Sequence, residues 1–334
     1  MNDSPDLGAE LDRFQTKFHE LKDEIQKAIV GYDDLLTDML VAVFSRGHIL
    51  LEGVPGLGKT FLVQTLSNVM GLTPGRIQCT PDLMPADILG THIVNENDDG
   101  RRVMHFERGP VFANLILVDE VNRATPKTQA ALLEVMQEGS VTAGGETMKL
   151  PIPFFVMATQ NPMEMEGTYP LPEAQADRFL FKIRVPFPDK ETLMEISRRT
   201  SGFASAELSQ VLTANDLIDF QKTVASIPVA DHITDYAAQI VLATHPETGS
   251  GTDNVNRYVS YGASPRGMQA LIRGAKVHCA LDDRTAVSVE DVKRVALAAL
   301  RHRVILNFQG EAESRDVDEL VQEVIESVPT MAAV

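Results

Sequence analysis

Tryptophan is absent from this chain of 334 residues, cysteine occurs only twice, and aromatic residues make up 6% of the total. Cys79 and Cys279 lack the paired spacing of a zinc site or a disulfide framework, so we expect both to be small buried side chains. The eight histidines are scattered too, and no two have the spacing that places ligands on one helix face beside a carboxylate. The composition therefore disfavours a structural metal site and a disulfide-stabilised fold.

Basic residues are in the minority, because 30 lysines and arginines stand against 47 aspartates and glutamates. The formal charge of −17 and the isoelectric point near 4.9 disfavour a nucleic-acid partner, since affinity for a phosphate backbone comes mainly from lysine and arginine. Residues 311–328 hold seven of the acids and one basic residue, Arg315. We interpret this stretch as the solvated face of a helix.

Long apolar runs are missing as well. No run approaches the roughly 20 residues that a membrane-spanning helix needs, and the N-terminus is acidic and amphipathic, unlike a secretory signal. We therefore expect a cytoplasmic protein with no membrane span. The hydrophobic content of 44% is typical of a globular protein, and the length favours two domains.

Five short apolar runs alternate with helical patterns in the first part of the chain. Runs that are nearly continuous in apolar residues are typical of parallel strands buried on both faces. We predict an α/β fold with a parallel five-stranded sheet between two layers of helices. Two amphipathic helices precede the sheet, at 11–30 and 33–44. The five runs are residues 48–51, 77–80, 115–118, 154–159 and 179–185.

Two β-hairpins are predicted as additions to this three-layer core. The first joins residues 91–95 and 101–106 around Asp99-Gly100, which is a hairpin signal between alternating segments. The second joins residues 140–143 and 146–150 around Gly144-Gly145.

Pro186 and Pro188 end the strand pattern, and only helical periodicity follows them. We place the domain boundary here, with an α/β core and its leading helix at 1–188 and an all-α domain at 189–334. A mobile loop is expected at 247–254. The predicted helices are 190–200, 213–226, 233–246, 265–281, 288–300 and the acidic helix, which ends near Ser327.

A phosphate-binding loop is predicted directly after the first apolar run, where the pattern G-x-x-x-x-G-K-[ST] is complete. Glycines let backbone N–H groups turn onto phosphate oxygens, and the following helix adds a partial positive charge. Lys59 would reach the β and γ phosphates, and the hydroxyl of Thr60 would ligate Mg²⁺. The nucleotide-binding residues of this segment are Gly53, Val54, Pro55, Gly56, Leu57, Gly58, Lys59, Thr60 and Phe61.

Two acids end the third apolar run. The carboxyl edge of such a strand is where a doubly wound sheet holds its ligand. Asp119 would hold Mg²⁺ through water, and Glu120 would polarise the attacking water, which indicates ATP hydrolysis with a carboxylate base. The fourth run ends at Asn161, whose neutral amide could orient that water. The predicted cofactors are ATP and Mg²⁺.

With these motifs in order, the chain resembles the AAA+ ATPases and, within them, the MoxR family. The resemblance covers nearly the whole chain, and the two hairpins are similar to the insertions of this AAA+ branch. The C-terminal helices then correspond to an AAA+ lid domain. The segments that carry the resemblance are 29–31, 53–60, 118–124, 158–162, 171–179 and 264–267.

The resemblance implies a homo-oligomeric ring, usually of six subunits, with ATP at each interface. It also implies that Arg178 is the arginine finger, which reaches the γ phosphate of a neighbour's ATP. Arg266 is then the sensor of nucleotide state, while Val30 and Gly31 border the adenine. MoxR proteins are implicated as chaperone-like remodellers that act with a von Willebrand factor A domain partner, often to insert a metal or mature an enzyme complex.

The sequence leaves open which arginine makes the main contact in trans and what the ring acts on. Arg123 and Arg108 are rivals of Arg178 for the main contact in trans, and Arg178 could instead pair with Asp177 or Glu173. The client, its pathway and the ring size are not encoded in any motif.

A second function also stays open, because related ring ATPases with the same insertions remodel nucleic acid. Arg101 and Arg102 on the first hairpin favour that alternative, and the net charge disfavours it.

Overall fold

The computed structural model describes residues 7–54, 56–96, 102–162, 167–200 and 207–330. Strands and helices are numbered in chain order. The strands are β1 (Ile49–Glu52), β2 (Pro74–Gln78), β3 (Gly90–Glu96), β4 (Arg102–Arg108), β5 (Leu115–Asp119), β6 (Ser140–Ala143), β7 (Glu146–Lys149), β8 (Phe155–Gln160), β9 (Phe181–Arg184), β10 (Val259–Tyr261) and β11 (Ile305–Leu306).

The helices alternate with the strands up to β9 and dominate the chain after it. They are α1 (Leu7–Gln26), α2 (Asp33–Phe44), α3 (Lys59–Val69), α4 (Pro85–Leu89), α5 (Pro126–Glu138), α6 (Glu173–Ala176), α7 (Lys190–Thr200), α8 (Ala214–Ser226), α9 (Asp231–Ala243), α10 (Asp253–Tyr258), α11 (Pro265–Leu281), α12 (Val289–Leu300), α13 (Phe308–Ala312) and α14 (Val317–Ser327).

The central sheet has five parallel strands in the order β2-β5-β8-β1-β9. Alternate residues of β1, β5 and β8 enter two separate hydrophobic clusters: Leu115 and Leu117 of β5 face one, while Ile116 and Val118 face the other. The first cluster includes α1, α2, α3 and helices after β9, and the second includes α4 and α5. Because both faces are covered, the three middle strands are mostly apolar, while the edge strands β2 and β9 also hold polar residues. The predicted three-layer α/β core is confirmed.

Both predicted hairpins are present. β3 and β4 pair antiparallel from Gly90 opposite Arg108 to Glu96 opposite Arg102, and β6 pairs with β7. The Asp99-Gly100 turn lies outside the described residues. The hairpins touch each other, because a Cβ atom on Gly144 would lie 2.4 Å from His92 Cε1.

The C-terminal region is helical, as predicted, but it also holds a two-stranded antiparallel ribbon of β10 and β11 that the periodicity did not indicate. The segment 247–254, expected to be a loop, contains the start of α10, whose N-cap Thr252 accepts a hydrogen bond from the Val255 N–H. In the acidic segment, α14 buries an apolar face. Asp316 and Asp318 there pair with Arg184 of β9 at 2.9 and 3.0 Å, so these two acids are structural contacts.

The leading helices share a core with the C-terminal helices. The ring of Phe14 in α1 lies 4.9 Å from that of Phe44 in α2 and 5.7 Å from that of Phe220 in α8. The division at residues 188 and 189 stays a prediction. Both cysteines are buried and unpaired with each other. No helix within the described ranges combines the length and apolar character needed to span a membrane.

Candidate active site

The strand order brings the three predicted motifs to one edge of the sheet. β8 lies between β5 and β1, so the loop after β1, the acids at the end of β5 and the residues after β8 are neighbours. Gly53 N–H donates to the Gln160 carbonyl at 3.2 Å, which ties the start of the loop to the end of β8.

The loop itself has the backbone that anion binding requires. Gly56 and Gly58 have φ angles of +85° and +73°, values that residues with a side chain rarely adopt. Lys59 begins α3, and its Nζ donates to the Gly53 carbonyl at 2.7 Å. Burial lowers the pKa of Lys59, and the negative charges of Asp119 and Glu120 oppose that shift. A partly desolvated ammonium at a helix N-terminus is well placed to bind phosphate. Pro55 lies outside the described residues.

Asp119 and Thr60 meet next to this loop. The Thr60 hydroxyl lies 3.5 Å from Asp119 Oδ2, and Asp119 is 9% exposed. Hydroxyl and carboxylate oxygens are the ligands that Mg²⁺ prefers, usually together with waters and substrate phosphates. Within the described ranges, no group of three or more His, Cys, Asp or Glu side chains could hold a metal by itself. The pair therefore fits a cation that arrives with a nucleotide.

Thr159, at the end of β8, fixes both acids. Its hydroxyl accepts the Glu120 backbone N–H at 2.8 Å and donates to Asp119 Oδ1 at 3.4 Å. Glu120 has a left-handed backbone, with φ 55° and ψ 53°, which is uncommon for a residue with a side chain and clusters at functional sites. The Thr159 hydroxyl therefore helps to hold a strained turn in place.

Each acid also has an arginine partner. Arg76 of β2 donates to Asp119 Oδ2 from Nε at 3.2 Å and from Nη2 at 3.0 Å. Arg123 Nη1 donates to Glu120 Oε2 at 3.0 Å, and the amide of Gln78 donates to the same oxygen at 3.3 Å.

Asn161 is 5% exposed and lies one residue beyond β8, at the edge that carries Glu120. Its carbonyl oxygen lies 3.5 Å from Asn122 Nδ2. The structure thus brings Asn161 to the predicted edge.

A cavity of about 520 Å³ opens beside the loop, and its lining is mainly apolar. Val30 and Phe61 line it together with Leu193 and Ile196 of α7, while Gly31 is not among its lining residues. Gly31 has a φ of +70°, and a Cβ atom there would lie 2.9 Å from Thr192 Cγ2. An apolar cavity that leads to an ammonium and a glycine-rich loop fits a nucleoside triphosphate.

Arg178 and Arg266 lie elsewhere. In the described part of the chain they line a second cavity, of about 220 Å³, and not the one beside Lys59. Arg178 Nη1 donates to the Leu133 carbonyl at 2.7 Å, so it does not show the alternative pairing with Asp177 or Glu173. Arg266 Nη1 lies 3.5 Å from Asp177 Oδ2.

The role of Arg266 as the sensor of nucleotide state stays a prediction. The Ser264 hydroxyl and Arg303 Nε both donate to Asp177 Oδ1, at 2.7 and 2.8 Å. These bonds hold the start of α11 beside Arg178.

The comparisons with known proteins agree with this geometry. Residues 48–181 match the ATPase family associated with various cellular activities (AAA), and residues 252–324 match the AAA lid domain. Chaperone MoxR1 of Mycobacterium tuberculosis is 45% identical over 305 residues, which cover 91% of this chain and 80% of that protein. The chain belongs to the MoxR family of AAA+ ATPases. Protein MoxR of Methylorubrum extorquens is 32% identical, over 92% of this chain and 93% of its own.

The fold of this MoxR-family chain is also that of a solved structure. A candidate ATPase from Cytophaga hutchinsonii superposes with a TM-score of 0.90 at 40% sequence identity, covering 97% of this chain and 98% of the other. The MoxR-family chain is therefore an ATP-hydrolysing enzyme of a chaperone-like family.

Three residues that contact the acids of the MoxR site were not among the predicted site residues: Arg76, Gln78 and Thr159. Arg76 and Gln78 alternate on β2, and Gln78 lies opposite Asp119 in the strand register. In the sequence, this alternation of long polar residues beside an apolar strand is the signal that could have indicated Arg76 and Gln78.

Proposed function

We propose that this site carries out Mg²⁺-dependent ATP hydrolysis. The observation that supports it best is the Thr60 hydroxyl facing Asp119 Oδ2 across 3.5 Å, one residue from Lys59. Thr60 and Asp119 would hold Mg²⁺, which neutralises charge on the phosphates when it is bound. Lys59 would bind the β and γ phosphates. Glu120 would accept a proton from the attacking water, and Asn161 would orient that water.

The proposed base Glu120 already has two protein partners. Arg123 and Gln78 both donate to its Oε2, so two protein donors already contact that oxygen. These donors compete with a water molecule for the lone pairs of Oε2. We infer that Arg123 and Gln78 shift before Oε2 accepts a proton from water.

We further propose that a neighbouring protomer completes the site in a ring, with six subunits as the expected number. Arg178 and Arg266 lie together and apart from the protomer's own loop. A guanidinium offers several fixed donors to a phosphate, and a finger in trans makes hydrolysis depend on assembly. Arg123, bound to Glu120, is better placed for a role in its own site.

The work of the ring is proposed to be chaperone-like remodelling of a protein client in the cytoplasm, with a von Willebrand factor A domain protein as partner. Metal insertion into an enzyme is one form of that work. The first hairpin supports a contact role, because Val94 and Met104 face each other across its strands and are 56% and 66% exposed. Nucleotide binding makes no use of such a surface.

Glu120→Gln tests the hydrolytic assignment. We expect ATP turnover to fall by roughly a hundredfold or more, the size of effect that removal of a general base produces, while ATP binding and oligomer formation persist. The matched control is Glu247→Gln, which changes an exposed acid in the lid. Unchanged turnover in Glu120→Gln would remove the assignment.

The same Glu120→Gln variant tests the proposed partner, because a ring held in its ATP state should retain what it binds. Pull-downs with Glu120→Gln and with Lys59→Ala are compared by mass spectrometry. We expect a von Willebrand factor A domain protein to be enriched only with Glu120→Gln. Enrichment of nucleic acid, with DNA-stimulated ATP turnover, would support the remodelling of nucleic acid instead.

A further inference from the structure

Arg76 makes the closest contact to the proposed metal-binding acid. It lies on β2, opposite Leu117 of β5, so its side chain runs along the edge where β5 ends. Its Nε and Nη2 both donate to one atom, Asp119 Oδ2, at 3.2 and 3.0 Å. Two donors on a single oxygen form a stronger, charge-assisted contact than one.

That oxygen is the one on the nucleotide side. Asp119 Oδ2 is the atom that lies 3.5 Å from the Thr60 hydroxyl, while Oδ1 receives the Thr159 hydroxyl at 3.4 Å. A cation held between Thr60 and Asp119, directly or through one water, therefore needs Oδ2. A guanidinium and a divalent cation at one oxygen would repel each other strongly, because both are positive and close.

We propose that Arg76 is a resident counter-ion of Asp119 that a divalent cation must displace, so that Arg76 sets the cation concentration at which the site loads. The inference rests on the proposed function, because it takes Asp119 and Thr60 as the cation ligands. Arg76 is thereby a positioning residue of the metal site.

Arg76 can leave at small cost. Its side chain is 56% exposed, so water can solvate the guanidinium after it leaves Asp119. Ion pairs with an exposed partner are weak. The competition is therefore expected to be measurable but modest.

The amide of Gln78 connects the departure of Arg76 from Asp119 to Glu120. Gln78 accepts from Arg76 and donates to Glu120 Oε2 at 3.3 Å. Departure of Arg76 frees the Gln78 carbonyl and weakens the orientation of the amide toward Glu120. Loading of the cation and release of the base are thus connected by one side chain.

The test is a Mn²⁺ titration of the full chain with saturating ADP, in which free Mn²⁺ is read by electron paramagnetic resonance. Because an exposed ion pair contributes about 1 kcal/mol, Arg76→Gln should lower the half-saturating Mn²⁺ concentration about fivefold. ADP affinity in EDTA should not change. The control is Arg198→Gln, an exposed arginine paired with Glu195 on α7.

Two further variants distinguish failure of the proposed metal site from failure of the counter-ion role of Arg76. Arg76→Lys retains the charge but cannot place two donors on one oxygen, and it should lower the half-saturating concentration less, about twofold. Asp119→Asn should raise it strongly. If Asp119→Asn binds Mn²⁺ as the wild type does, the proposed metal site itself fails. If Asp119→Asn loses Mn²⁺ while both Arg76 variants match or exceed the wild-type concentration, the counter-ion role of Arg76 is overturned.

Discussion

Thr159→Val removes a single oxygen that connects the two acids of the site. The hydroxyl is the acceptor for the Glu120 backbone N–H at 2.8 Å and a donor to Asp119 Oδ1 at 3.4 Å. Valine has nearly the same shape, so packing against β5 and β1 should be retained. Thr159 is 2% exposed, so little water can replace the lost partner.

In Thr159→Val the backbone N–H of Glu120 loses its acceptor, and this loss sets the expected change in the free energy of unfolding. A buried N–H without an acceptor costs about 1–3 kcal/mol, and the longer bond to Asp119 adds little. We expect Thr159→Val to lower the free energy of unfolding by about 2 kcal/mol. Because that N–H also holds Glu120 in its left-handed conformation, ATP turnover should fall by about tenfold, as for a displaced catalytic group.

Thr65→Val is the matched control, because it makes the same chemical change at a buried hydroxyl that forms no hydrogen bond with the described residues. Thr65 is 1% exposed, and its Oγ1 has no hydrogen-bond partner among the residues that the structure describes. Its replacement should stabilise the chain by about 1 kcal/mol. Urea unfolding and ATP turnover are measured for both variants. If Thr159→Val unfolds like the wild type and retains full turnover, the assigned role of its hydroxyl is refuted.

Two other predictions concern stability. A Cβ atom at Gly274 in α11 would lie 2.8 Å from Phe181 Cζ, so Gly274→Ala should lower the thermal midpoint by overpacking, at about 1–3 kcal/mol; a higher midpoint would contradict this. Burial, aided by Arg294, lowers the pKa of His278 to about 4. Because the unfolded state then binds the proton more readily, stability should fall by about 3 kcal/mol as pH drops from about 6.5 to about 4. His278→Gln should flatten that slope in urea unfolding measured across this range.

Local sequence patterns predicted most of the fold and the centre of the site. The phosphate-binding loop, the Asp119-Glu120 pair and the second hairpin each depend on neighbouring residues, so the chain encodes them within a few positions. The parallel sheet could be predicted from short apolar runs, because strands that are covered on both faces are rich in apolar residues.

Local sequence patterns could not predict the contacts that depend on strand pairing and on helix packing. Arg76 reaches Asp119 only because β2 pairs with β5 in one register, and a shift by one residue would turn its side chain to the other face. Arg266 lies beside Arg178 because Asp177 holds the start of α11. The ribbon of β10 and β11 is too short to produce a pattern.

Subunit mixing measures whether the arginines of one protomer complete the loop and acids of the next. Glu120→Gln subunits keep Arg178, and Arg178→Ala subunits keep Glu120, so each variant alone should be nearly inactive. A random 1:1 mixture pairs an intact site with an intact finger at about a quarter of the interfaces, so we expect about a quarter of wild-type turnover. A mixture no more active than its separate components would contradict it.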